Sequence, residues 1–260
     1  MSLQINYHIH TIDSPFWSFA LHDGHLIDDN LLPYLLLSEK QRLREEDPYT
    51  ALIAELPVNQ FVIGTSRFQL DINRAVEESV YLRPEQAWGL EVWKTSFPQT
   101  FLEQLYKKHQ YIYRLIEQHI QSSIQNYGFF VVLDIHSYNA NRESPTATID
   151  EEANPQINLG TYYNDLKWRE LTDSFIHTIT SQTLYGLPID IRENVRFKGG
   201  YLTQFLNKRF GDKGCVFSIE FRKDFMNEWT GEPDVKRIAA CKQLLINTVQ
   251  GLKEYFAYEG

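Results

Sequence analysis

Two nearly uninterrupted apolar runs, FFVVLDI (Phe129–Ile135) and CVFSIEF (Cys215–Phe221), constrain this 260-residue chain more than any other feature. A strand with one solvated face alternates apolar and polar side chains. These runs do not alternate, so both faces of the sheet that holds them must be covered. FWSFAL (Phe16–Leu21), QFVIG (Gln60–Gly64) and LPIDI (Leu187–Ile191) read as three further short strands. The covers are visible between them. Residues 101–127 carry Leu105, Ile112, Ile116, Ile120 and Ile124 on one helical stripe that Gly128 stops. Residues 165–183 form a second helix candidate. Residues 233–255 form a third, with Ile238, Cys241, Leu245 and Leu252 inward and Pro233 suited to the first turn. Strands alternating with helices predict an α/β class fold, a three-layer α/β/α sandwich on a mostly parallel mixed sheet, here as one domain over 1–260. No repeat, low-complexity tract or Gly/Ser-rich linker divides the chain.

The segments that follow the predicted strands hold the chemistry, and in open α/β sheets ligands sit beyond the carboxyl ends of strands. LHDGH places His22 and His25 on a tight turn after the first strand, either as metal ligands or as turn histidines bonded to backbone. LDIHSY brings His136 to a strand end with Ser137 and Tyr138. Asp134 lies two residues earlier and so on the same face, where it can orient the imidazole. REEDPYT sets Glu45, Glu46 and Asp47 at the C-terminal end of a helix, against the macrodipole, which hints that one of them is held by something positive. In VFSIEFRKD, Glu220 interrupts an apolar strand. A buried carboxylate requires a metal, a partner or a role as base. SRFQLDINR supplies Arg67, Asn73 and Arg74, and RENVRFKGG supplies Arg192, Asn194 and Lys198; such donor clusters suit a carboxylate ligand, although surface ion pairs also use them.

DINR (Asp71–Arg74), IHSY (Ile135–Tyr138) and SIEFRKD (Ser218–Asp224), in that order, resemble motifs of carboxypeptidase A-like zinc peptidases. With the histidine turn, SRFQLDINR and NVRFKGGYL added, residues 16–225 more closely resemble the N-formylglutamate amidohydrolase family, which shares the zinc-peptidase fold. The resemblance implies a metal-dependent hydrolase with one Zn2+ per chain, cleaving the amide C–N bond of an N-acyl, such as N-formyl, amino acid through a zinc-activated water. It implies His22 and His136 as zinc ligands, Glu220 as general base and Arg67 as the group that polarises the scissile carbonyl. Asn73 and Arg74 would hold the substrate carboxylate, with Tyr138, Arg192, Asn194 and Lys198 as further substrate-binding candidates. The peptidases' HxxE motif is broken here, because His25 stands where the acid falls. Glu46 is therefore expected as the third ligand, with His25 as the alternative. A metallocarboxypeptidase, a peptidoglycan-peptide amidase and a non-catalytic carboxylate-binding protein are the competing functions.

A formal charge of −9 disfavours nucleic acid or an anionic membrane as main partner, and the partner that the resemblance implies is a small N-acyl amino acid or short peptide. The start MSLQINYHIHTIDSPFW has neither the basic beginning nor the apolar centre of a signal peptide, so a cytoplasmic location is expected. Cys215 and Cys241, the only cysteines, read as free core thiols.

Overall fold

In the computed structural model, which describes residues 2–258, the chain begins with strands β1 (Tyr7–His10) and β2 (Phe16–Ala20). The short helices α1 (Glu39–Glu45) and α2 (Thr50–Ile53), strand β3 (Asn59–Ile63), helix α3 (Gln99–Tyr127) and strand β4 (Phe130–Tyr138) follow. The second half contains β5 (Ile157–Gly160), α4 (Arg169–Thr180), a hairpin of β6 (Thr183–Leu184) and β7 (Leu187–Pro188), β8 (Ile191–Glu193), α5 (Tyr201–Phe210), β9 (Gly214–Arg222) and α6 (Val235–Tyr255). Seven strands form one sheet in the order β1-β3-β2-β4-β9-β5-β8. The central β3, β2, β4 and β9 run parallel, while β1 pairs antiparallel with β3 and β5 antiparallel with β9. The sheet is therefore mixed and mostly parallel, as predicted.

Strand alternation divides the core into two layers. Val131, Leu133 and Ile135 of β4 and Cys215, Phe217 and Ile219 of β9 pack with Phe175 and Ile179 of α4 and Leu245 and Val249 of α6. Phe130, Val132 and Val216 face the opposite side, against Ile112, Ile116 and Ile120 of α3 and Leu202 and Leu206 of α5. Burying each such side chain contributes roughly 1.5–3 kcal/mol, which fixes which face each strand presents. The two-residue period then carries Asp134 and His136 along the Val132 face, and Ser218 and Glu220 along the Val216 face. β4 and β9 stay paired through Tyr138 and Arg222, so His136 lies inside its strand, directly across from Glu220, rather than at a strand end.

Gly128 ends α3 in the left-handed region at φ +81°, as its position predicts. Three sequence expectations need correction. LPIDI is not one buried strand. Leu187 and Pro188 are exposed in the hairpin, Ile191 opens β8, and the place beside β9 belongs to β5, a buried four-residue strand to which the sequence reading assigns nothing. α4 stops at Thr180 because Thr183 and Leu184 turn back through Tyr185 and Gly186 to pair with β7. Pro233 precedes the helix it was expected to start. Asp234 caps α6 by accepting from the amides of Lys236 and Arg237, both at 3.1 Å. Among the described residues, no helix is long and apolar enough to cross a membrane.

Candidate metal centre and active site

His22 follows β2 directly, and the segment after α1 approaches it because the Asp47 amide donates to the His22 carbonyl at 2.9 Å. This contact brings three side chains to one point. One ligand atom from each of His22, Asp47 and His136 lies within 4.8 Å of the others, and all three residues are buried. Asp47 Oδ2 is 3.4 Å from His22 Nδ1 and 3.1 Å from His136 Nδ1. The far nitrogens also meet carboxylates, His22 Nε2 at 2.7 Å from Asp71 Oδ1 and His136 Nε2 at 2.9 Å from Asp134 Oδ1. Each ring thus turns Nδ1 inward with an aspartate at its outer edge; Asp71 is hydrogen-bonded to His22, while Asp134 Oδ1 makes a charge contact with His136 outside hydrogen-bond geometry. Asp134 stands as the sequence reading expects.

The acid that joins the imidazoles is Asp47, not Glu46. Glu46 caps α1 with extended backbone, so the side chains of residues 46 and 47 leave the chain in opposite directions. The Glu46 carboxylate accepts from the Ser66 hydroxyl and pairs with His25 Nδ1, and Arg42 Nη1 lies 3.5 Å away. His25 is committed to that pair and stays outside the cluster. Asp23, between the histidines, accepts from the Ala51 amide at 2.9 Å and so ties the turn to α2.

Electrostatics favour a cation at this point. The three aspartates touching the imidazoles carry three negative charges, and Arg67, whose Nη2 is 2.8 Å from Asp71 Oδ2, offsets one. Burial would raise Asp47 and Asp71, yet both stay below the ordinary carboxylate range, Asp47 through His136 and His22, Asp71 through His22 and Arg67. Burial would lower His136, but Asp134 and Asp47 lift it well above the ordinary imidazole value. A metal bound here would compete with that proton, so its affinity would fall as pH falls. The donor chemistry, two imidazole nitrogens and one carboxylate with carboxylates behind both rings, fits a divalent ion such as zinc.

Glu220, across from His136 on β9, faces the same space. Burial, with Asp47 and Asp134 nearby, pushes its carboxyl up to about 8 against the opposing pull of His136 and Arg67. A cavity of about 540 Å³ opens over these groups. Asn73, Arg74, Arg142, Arg196 and Lys198 line it, with Trp88 and Tyr138 among the aromatic walls. Arg67 reaches it from below, only 9% exposed, with Nε donating to the Tyr81 hydroxyl at 3.1 Å. Asn73 is fixed by Leu202, whose amide donates to its Oδ1 at 3.0 Å. A Cβ on Gly200 would lie 2.3 Å from the Asn73 amide group, so only glycine admits that approach.

Two expected substrate contacts lie elsewhere. Arg192 pairs with Asp190 at 2.9 Å and donates to the Glu152 carbonyl at 2.7 Å, while Asn194 binds the Thr161 amide and hydroxyl in a turn. The member of RENVRFKGG that does face the cavity beside Lys198 is Arg196, its guanidinium 5.1 Å above the Tyr138 ring. The Tyr138 hydroxyl donates to the Pro155 carbonyl, so its ring serves as wall. Asp71 behind His22, and Arg142 and Lys223 in the cavity lining, belong to the site with no motif that marks their roles. Lys223 is only 5% exposed, and burial lowers its ammonium to about 8. The unexplained acids of REEDPYT were the available signal, since buried acids require buried cations.

A family model described as N-formylglutamate amidohydrolase matches residues 15–226. No curated protein matches significantly. Among solved structures, an N-formylglutamate amidohydrolase from Ralstonia eutropha JMP134 superposes with a TM-score of 0.73 at 13% identity, covering 96% of this chain and 97% of that one. A gene product of Agrobacterium tumefaciens gives 0.66 at 18% identity, with 98% and 96% covered. At these identities the superpositions speak for the fold, whereas the family match spans most of the sequence that builds the site. This chain belongs to the N-formylglutamate amidohydrolase family, hydrolases of C–N amide bonds.

Proposed function

We propose that the protein is a zinc-dependent amidohydrolase that removes the acyl group from an N-acyl amino acid, with His22, Asp47 and His136 as the metal ligands. The observation that carries this reading is the convergence of those three buried donors beneath a cavity edged with guanidinium groups. Bound there, the ion supplies Lewis acidity, lowering the pKa of a water and polarising a carbonyl.

The remaining work falls to the chain. Glu220 takes a proton from the attacking water at its carboxylate and returns it to the departing nitrogen; proximity to pH 7 suits a group that must do both. Arg67 keeps Nη1 the least committed of its nitrogens, 3.4 Å from the Glu45 carbonyl, and turns it toward the developing oxyanion. Asn73 and Arg74 hold the substrate carboxylate, and Arg196 and Lys198 line the same cavity as further cationic contacts. The two free, buried cysteines suit a cytoplasmic setting.

Metal analysis with a screen of N-acyl amino acids tests the proposal. About one zinc per chain is expected, with deacylation abolished by chelator and restored by zinc. Glu220→Gln should keep its metal while kcat falls roughly 10²–10⁴-fold. Full activity in that variant would remove Glu220 from its role, and faster cleavage of peptides than of N-acyl amino acids would turn the reading toward a carboxypeptidase.

A further inference from the structure

The turn that delivers Asp47 has an unusual support. At a helix end the last carbonyls lack partners within the helix and carry partial negative charge. Here the carbonyls of the last two residues of α1 and of its C-cap, Arg44, Glu45 and Glu46, each accept from a cation that belongs to another segment. Lys223 Nζ donates to Arg44 O at 2.7 Å and to Glu46 O at 2.8 Å, and Arg67 Nη1 approaches Glu45 O at 3.4 Å. The amide of Asn139 adds a second donor to Arg44 O at 2.9 Å. The next carbonyl, that of Asp47, is taken by the Thr50 hydroxyl at 2.6 Å.

Lys223 is three residues beyond Glu220 on the same chain segment, and its own amide donates to Tyr138 O at 3.1 Å, which anchors it to the end of the β4–β9 pair. One ammonium therefore spans from the strand pair that carries His136 and Glu220 to the turn that carries Asp47. Its charge also lies at the negative end of α1, beside Glu45 and Asp47, which offsets the acid run that the sequence leaves unexplained.

We propose that Lys223 is a positioning residue for Asp47: by gripping the carbonyls of Arg44 and Glu46 it sets the distance between Asp47 and the two imidazoles, and so sets the affinity of the centre for zinc. This rests on the reading of His22, Asp47 and His136 as ligands. Lysine suits the task because three donors on one atom reach both carbonyls at once, whereas a planar guanidinium spreads its donors.

The test is zinc affinity of the metal-free full chain, measured by competition with a chromophoric chelator, for wild type, Lys223→Met, Lys223→Arg, Asp47→Ala and Lys223→Met/Asp47→Ala. Circular dichroism and thermal unfolding of the metal-free proteins check the fold. Lys223→Met should bind zinc about 10–100-fold more weakly, the usual loss when an outer support of a ligand is removed. Lys223→Arg should fall in between, and it carries the test if the methionine variant does not fold. Acting through Asp47, the lysine should add little once Asp47 is gone, so the double variant should match Asp47→Ala. A folded Lys223→Met or Lys223→Arg that binds zinc within about threefold of wild type, while Asp47→Ala has lost it, would overturn this inference alone. Absence of zinc binding in the wild type would overturn the metal reading and this inference together.

Discussion

The two imidazoles of the centre are held by different means. His136 belongs to β4, and its height against Glu220 is set by nine consecutive register pairs with β9. His22 and Asp47 lie outside the strands and helices, and their places depend on a few borrowed contacts: the Asp47 amide on the His22 carbonyl, Asp71 behind His22, and Lys223 and Thr50 on the turn. A ladder shares any distortion among many bonds, so a strand residue is hard to displace. A turn residue moves when one contact is lost. The strand half of the site is thus the fixed frame, and the turn half is where small changes would alter affinity for the proposed metal.

Removing the carboxylates behind the rings sharpens this contrast. Asp71→Asn and Asp134→Asn should each weaken zinc binding, by roughly 10–100-fold. The loss should be larger for Asp71→Asn, since His136 keeps its place in the β4–β9 ladder, whereas His22 lies outside the strands and loses its hydrogen-bond acceptor. Chelator competition at one pH measures both, and the reverse order would break the comparison. A smaller effect is expected at the cavity lip. Arg196→Ala should raise KM about tenfold, near 1.5 kcal/mol for a lost hydrogen bond to a charged group, whereas Arg192→Ala, whose partners lie outside the cavity, should leave KM unchanged. Steady-state kinetics on the best N-acyl substrate separates them.

The same contrast explains what could be read from the sequence. β2, β4 and β9 are legible because burial on both faces writes a nearly continuous apolar run, and β3, whose burial alternates, still shows Phe61, Val62 and Ile63. His136, Asp134 and Glu220 follow from period-two counting along two of them. β5 is four residues long, and α5, although Tyr201, Leu202, Phe205, Leu206 and Phe210 line one stripe, is only ten, so neither runs long enough for its period to be decisive. The choice between Glu46 and Asp47 depends on the backbone direction where α1 ends, and no periodicity records that. Likewise RENVRFKGG announces a basic segment, but only the turn at Asn194, with φ +57°, decides that Arg196 faces the cavity and Arg192 does not.

The acid that completes the proposed centre decides how the site works. Crystals grown with zinc and recorded on both sides of the zinc absorption edge would show this directly. One anomalous peak is predicted, bounded by His22 Nδ1, an Asp47 carboxylate oxygen and His136 Nδ1, at about 2.0–2.2 Å from each. A peak coordinated by Glu46 or His25, or no peak between the two imidazoles, would contradict it.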